Sequence, residues 1–101
     1  MKKIMLCCSA GMSTSLLVKK MQEVAVEKGI SVEIKAFGVA EFSEQVPNYD
    51  VVLLGPQIKY MLNDLSAKAD VYGIKVQSID MMDYGMLRGD KVLTVALELA
   101  K

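Results

Sequence analysis

The sequence predicts an α/β fold, a four-stranded parallel sheet with helices on both faces. Short apolar runs alternate with amphipathic helical patterns through the whole chain. Two of the runs, Ile4–Cys8 and Asp50–Leu54, show little polar alternation, which suits strands covered on both faces. No repeat, linker or low-complexity segment interrupts the pattern. The 101 residues therefore read as a single domain, 1–101.

The first strand is expected over Ile4–Cys8. A helical pattern follows from Leu16 to Lys28, with Leu17, Met21, Val24 and Ala25 on one face, and Gly29 is placed to end it. Residues 31–37 alternate, with Val32, Ile34 and Ala36 set against Glu33 and Lys35, as in a second strand. Residues 39–46 hold at most a short helix before Pro47. Asp50–Leu54 is continuous, β-branched at its start, and forms the third strand. Ile58, Met61, Leu62, Leu65 and Ala69 make the apolar face of another helix, and 74–79 makes the fourth strand. Residues 80–89 read as a loop. The last helix carries Val92, Leu93, Ala96, Leu97 and Ala100 on one face. The residues alone leave the strand order open. Ligands of such sheets lie beyond the C-terminal strand ends, where the loops 8–15, 55–57 and 80–89 are expected to meet.

Composition narrows the function. Hydrophobic residues make up 52%, enough to fill a core. Lys plus Arg equals Asp plus Glu, at 12 each, and Arg88 is the one arginine, so a nucleic-acid surface is not expected. There is no His, which removes the commonest general base and metal ligand. Two adjacent cysteines, Cys7 and Cys8, form neither a disulfide framework nor a zinc ligand set. No metal or other cofactor is expected. The apolar run after Lys2-Lys3 ends at Ser9, short of the roughly 7–15 residues of a signal core. No stretch approaches the roughly 18 apolar residues of a membrane span, and a cytoplasmic setting is expected.

Chemistry concentrates in Cys8-Ser9-Ala10-Gly11-Met12-Ser13-Thr14-Ser15. A nucleophilic sulfur stands where a strand becomes a helix, inside a loop of small and hydroxylated residues. Free N–H groups at a helix start favour an anion and raise the thiolate fraction of a nearby thiol. Gly11 lets the backbone turn, and Ser9, Ser13, Thr14 and Ser15 offer hydroxyls to anion oxygens. The expected chemistry is a cysteine that carries a phosphoryl group, held by positioning and charge stabilisation. Cys7, inside the strand, reads as core filler. Ser13 and Thr14 are also ordinary helix N-caps. The loop is not a Walker P-loop, because Gly-(x)4-Gly-Lys-Ser/Thr is absent.

Cys8–Ser15 followed by Leu16-Leu17, with Val51-Val-Leu-Leu-Gly-Pro-Gln-Ile58 and Tyr60-Met61-Leu62 later, closely resembles the enzyme IIB component of phosphotransferase sugar-uptake systems (PTS). The likeness is to the lactose/cellobiose/chitobiose branch and covers essentially the whole chain as a free-standing IIB protein. It implies a flavodoxin-like three-layer sandwich with strand order 2-1-3-4. It implies that Cys8 takes a phosphoryl group from a phosphohistidine on IIA. Cys8 then passes it to a β-linked disaccharide or oligosaccharide held by the membrane component IIC. Positions 9–15 then hold the phosphoryl group, mostly through backbone N–H. The family's cysteine is the first residue of this motif, so Cys7 is an extra thiol that leaves the selectivity of chemical labelling open.

Low-molecular-weight tyrosine phosphatases share the loop shape and are the alternative, beside a non-catalytic adaptor. They need Cys-(x)5-Arg and an Asp-Pro acid. Thr14 stands at the arginine position, and both prolines, Pro47 and Pro56, follow other residues. Asp80 and Asp83 stand in the late loop and keep that reading open. Met12, Met81, Met82, Tyr84 and Met86 are expected near the strand ends, where flexible methionines suit a surface able to repack against two partners, with core filling an equal reading for Met12, Met82 and Met86. Core filling is expected for Met5, Met21 and Met61. Gln57 and Tyr84 are further candidates to contact the phosphoryl site. Lys19, Lys20, Lys59 and Arg88 read as solvated charge, with Arg88 or Lys59 as docking aids.

Overall fold

The computed structural model describes residues 1–9 and 14–101. The strands are β1 (Lys2–Cys8), β2 (Val32–Gly38), β3 (Val51–Leu54) and β4 (Lys75–Ser78). All pairings are parallel and the order is β2-β1-β3-β4. The expected fold class and order are thus both observed.

β1 lies inside the sheet because its apolar run has neighbours on both edges. Ile4 pairs with Ile34 of β2 and with Val51 of β3. Its side chains divide strictly by parity. Ile4 and Leu6 join Leu17, Met21, Leu53, Val92 and Leu93 beneath helices α1 (Ser15–Glu27) and α5 (Gly89–Leu99). Met5 and Cys7 join Phe42, Val46, Val52, Leu54 and Leu65 beneath α2 (Phe42–Gln45) and α3 (Leu62–Asp70). Each face buries a full apolar stripe, and truncating one of these large side chains to Ala costs about 2–5 kcal/mol.

α1 ends as its glycine predicts. Gly29 has φ +66, its N–H donates to the Val26 carbonyl, and Ile30 N–H donates to the Ala25 carbonyl at 2.8 Å. That paired closure needs a left-handed residue, which glycine supplies without a Cβ clash.

Two segments differ from expectation. The helix expected from Ile58 starts as a 3-10 segment, Pro56–Met61, kinked at Ile58 (φ −117, ψ 24), and becomes α-helical only at Leu62. Pro56 favours a tight turn at the strand exit, and the apolar spacing alone does not distinguish that turn from an α-helix. The 80–89 loop contains a short helix, α4 (Met81–Gly85). Its start is made by the Asp80 carboxylate, which accepts from Met82 N–H at 3.0 Å and Asp83 N–H at 3.1 Å. Five residues are too few to show a helical period in the sequence. The weak helix at 39–46 is observed as α2 flanked by 3-10 turns, Val39–Glu41 and Val46–Asn48.

Candidate active site

Cys8 is the last residue of β1. By parity it faces the same side as Ile4 and Leu6, and Cys7 faces the other. Both thiols are fully buried, but their neighbours differ. Cys7 packs in the apolar cluster with Met5 and Phe42. Burial pushes its thiol up from 9.0 to about 11, and charge on Cys8 and Glu41 adds to the rise. Such a thiol stays protonated and inert near neutrality, so Cys7 does not compete for thiolate chemistry.

Cys8 meets a polar partner. Thr14, itself fully buried, donates its hydroxyl to Cys8 Sγ at 3.7 Å. Thr14 holds the N-cap position of α1 yet makes no side-chain cap bond. Its hydroxyl serves the sulfur, where a donated O–H favours thiolate over thiol. The N-terminus of α1 acts in the same direction. Ser9 and Ser15, on either side, are exposed. Ala10, Gly11, Met12 and Ser13, expected in the phosphate loop, lie outside the described residues.

The second loop reaches Cys8 through Gly55. Its N–H donates to the Cys7 carbonyl at 2.8 Å, carrying the ladder one residue past β3. The Gly55 backbone is ordinary and extended (φ −60, ψ 148). The glycine matters for space: a Cβ there would collide with Gln57 Oε1 and approach Cys8 Cβ to 3.4 Å. Gln57 therefore folds back over the strand end. Its Nε2 donates to Tyr84 Oη, on α4, at 2.9 Å. The three loops expected at the strand ends are thereby joined, and Gln57 and Tyr84, separate candidates in the sequence, touch each other.

The acidic and basic candidates are engaged elsewhere. Asp80 caps α4. Asp83 Oδ1 accepts from Arg88 Nη1 at 3.3 Å, and Arg88 Nη2 lies 3.1 Å from Met86 Sδ. These contacts brace the α4–α5 turn, where Leu87 holds a left-handed φ of 53. Arg88 is thus committed to the turn, whereas Lys59 is exposed. Met81, Met82 and Met86 are exposed at 74%, 61% and 59%, so none of the three fills the core. Met5 and Met21 are fully buried, and Met61 packs half-buried on the Cys7 side. A cleft beside β4, lined by Leu53, Ile79, Val92 and Val95, does not include Cys8.

Sequence reasoning missed the Thr14–Cys8 contact and several exposed apolar residues, among them Leu16, Val26, Tyr60, Val71 and Tyr72. Leu16 had a signal: it lies off the Leu17–Met21 face of its helix.

The same architecture recurs in solved IIB components of phosphotransferase systems. The fold is shared with the lactose-specific IIB domain of Streptococcus pneumoniae, at TM-score 0.89 and 20% identity, over 99% of this chain and 98% of that one. The cellobiose-specific IIB protein of Borrelia burgdorferi superposes at TM-score 0.81 with 39% identity, over 97% and 90%. Residues 3–95 match the family described as PTS system, lactose/cellobiose-specific IIB subunit, and the chain belongs to that family. Its relatives include the oligo-beta-mannoside-specific EIIB component of Bacillus subtilis strain 168, 50% identical over 98% of this chain and 96% of that protein. The galactose-specific EIIB component of Lactococcus lactis subsp. cremoris strain MG1363 is 48% identical, over 97% and 95%. A lactose-specific EIICB component of Lactococcus lactis subsp. lactis is 29% identical over 86% of this chain and only 15% of that longer protein.

Proposed function

We propose that this PTS IIB component carries its phosphoryl group on Cys8 Sγ. The thiolate attacks phosphorus of a phosphohistidine on IIA. The P–S bond forms as the P–N bond breaks, and the imidazole nitrogen keeps the electron pair. In the second step a sugar hydroxyl held by IIC attacks phosphorus. The P–O bond forms, the P–S bond breaks, the thiolate departs with its electron pair, and the hydroxyl proton passes to solvent. Positions 9–15 hold the phosphoryl oxygens, and Thr14 O–H supports the sulfur as thiolate in both steps. Cys8 is fully buried, so each step requires a rearrangement that uncovers the sulfur.

The observation that carries this reading is Thr14 O–H donated to the sulfur at the end of β1. Arginine at position 14 would clamp a phosphate bidentately, and a threonine holds it less firmly. That suits a group waiting for an acceptor. The acceptor is a β-linked disaccharide or oligosaccharide, in keeping with the oligo-beta-mannoside, cellobiose and lactose of several relatives' names, although the galactose-specific relative names a monosaccharide. The EIICB relative joins C and B components in one protein, which supports IIC as the second partner. Among the described residues no helix is long and apolar enough to cross a membrane. In this reading the 1–101 unit works in the cytoplasm and meets the membrane through IIC.

Incubation with phosphorylated IIA should add one phosphoryl group, labile to iodine, as read by intact mass. Cys8→Ser should take up none, and a phosphoryl group persisting in that variant would refute the assignment. Cys7→Ala should take it up as the parent does.

A further inference from the structure

Gly89 opens α5 at the point where that helix meets the backbone of α1. A Cβ there would lie 2.8 Å from the Lys20 carbonyl carbon, 2.9 Å from the Met21 nitrogen and 3.0 Å from Lys20 Cβ. Ordinary contact begins near 3.5 Å, so the two helices would have to part by roughly 0.7 Å. The chain reaches this contact through an unusual turn. Arg88 N–H donates to the Asp83 carbonyl at 2.9 Å and Leu87 N–H to the Tyr84 carbonyl at 3.2 Å, the paired closure that needs a left-handed residue at position 87. Glycine is the usual residue there, and Leu87 adopts φ 53 at a cost to its Cβ. Its side chain packs on the core beneath α1 and α5, and that burial offsets the cost. Gly89 N–H then donates to the Leu87 carbonyl at 2.9 Å, an inverse γ-turn centred on Arg88 (φ −78, ψ 73). Three successive residues are thus fixed, and the last of them has no room for a side chain.

The helix on the other side of the contact leads to the sulfur. Leu17, Val18 and Met21 of α1 share one core with Val92 and Leu93 of α5. Val18 N–H donates to the Thr14 carbonyl at 3.0 Å, which ties Thr14 to the body of α1. Thr14 precedes Lys20 by about 9 Å along the axis. Residues 16–20 contain no Pro or Gly at which the helix could bend, so a push at Lys20 is felt at Thr14. The Thr14 hydroxyl stands 3.7 Å from Cys8 Sγ, a length at which a small retreat ends the bond. We propose that Gly89 is a positioning residue of the phosphoryl-transfer site: the α4–α5 turn seats it on the α1 backbone, and that contact sets where α1 holds the Thr14 hydroxyl on Cys8 Sγ. This rests on the phosphocysteine reading above. Gly89 touches no reacting atom. Its missing side chain lets α1 sit close enough for Thr14 to serve the sulfur.

The test follows uptake from phosphorylated IIA by the full chain, with rates taken per folded molecule. Intact mass first establishes a phosphoryl group on the parent; its absence would overturn both this inference and the phosphocarrier reading. Gly89→Ala should then slow uptake about tenfold at an unchanged IIA concentration for half-maximal rate, because docking is untouched and only the step at sulfur is impaired. In the Thr14→Val background the same substitution should cost less than about twofold, as for residues acting in series. Thr94→Gly weakens α5 from its exposed side and should leave uptake at the parental rate. Alanine favours a helix over glycine, so Gly89→Ala would raise the melting temperature if α1 yielded freely, whereas a lowered one is expected. A raised melting temperature, uptake at the parental rate, or an equal loss with and without the Thr14 hydroxyl would each overturn the proposal. Should Gly89→Ala not fold, Leu87→Gly loosens the same turn without adding an atom. It should slow uptake about threefold in the parent and leave Thr14→Val unchanged, and parental uptake would again overturn the proposal.

Discussion

Cys7 and Cys8 are neighbours in the chain and belong to different parts of the molecule. Cys7 lies in the dry core between β1 and helices α2 and α3, among Met5, Phe42 and Leu65. Cys8 lies one residue further, at the strand end, with the Thr14 hydroxyl on its sulfur and Gly55 beside it. Both are fully buried, so exposure does not separate them. Strand parity does, and so does the end of the strand. Apolar packing raises the pKa of one thiol. Hydrogen bonding and a helix N-terminus favour the charged form at the other. In a protein with no histidine, that contrast is what the proposed phosphocysteine rests on.

Removing each thiol tests the contrast most severely. Cys8→Ser should abolish phosphoryl uptake, whereas Cys7→Ala should keep uptake within about twofold and lower stability by about 1–2 kcal/mol. Comparable losses of uptake in both variants would break the distinction. Alkaline unfolding of the parent against Cys7→Val isolates Cys7, because burial also raises Tyr49 and that contribution is common to both. The folded pKa of Cys7, about 11, lies above the unfolded value of 9.0. The unfolded chain therefore releases its proton first. The stabilisation is complete below pH 9 and is lost as pH rises to about 11, a loss on the order of 2–3 kcal/mol. Denaturation midpoints across that range should fall more steeply for the parent than for Cys7→Val, and parallel curves would refute the burial effect. Thr14→Val keeps the shape and deletes the O–H. It should slow uptake at pH 7 about tenfold and move the pH–rate profile to the alkaline side, and an unmoved profile would deny Thr14 its role at the sulfur. Met81→Ser with Met82→Ser should change stability by less than about 0.5 kcal/mol, since both are exposed. The same pair should raise the concentration of IIA needed for half-maximal uptake, and an unchanged requirement would remove those methionines from the docking surface.

The strands were legible because apolar runs with β-branched residues have few other uses in so short a chain. Strand order came with the family resemblance, because period-2 patterns do not say which strand is the neighbour. α4 was not legible. Its start depends on Asp80 and its end on the Asp83–Arg88 contact, neither of which leaves a periodic trace. Ile58 misled for the opposite reason, since its apolar spacing fits a helix that the backbone begins only at Leu62. At the site, the position of Cys8 followed from the strand–helix junction. Whether Thr14 caps the helix or serves the sulfur depends on a side-chain rotamer. The Gln57–Tyr84 bond joins residues 27 positions apart, and only the folded sheet brings them together.

α4 has a further consequence. It has no buried residue, and one carboxylate caps its start. The free energy needed to open it locally should therefore lie far below that for β1, whose pairs run along both edges. Amide hydrogens of 81–85 should exchange with deuterium orders of magnitude faster than those of 4–7. Under the proposed function, which needs one face to fit two unlike partners, that face re-forms cheaply and is mounted on a sheet that does not have to move.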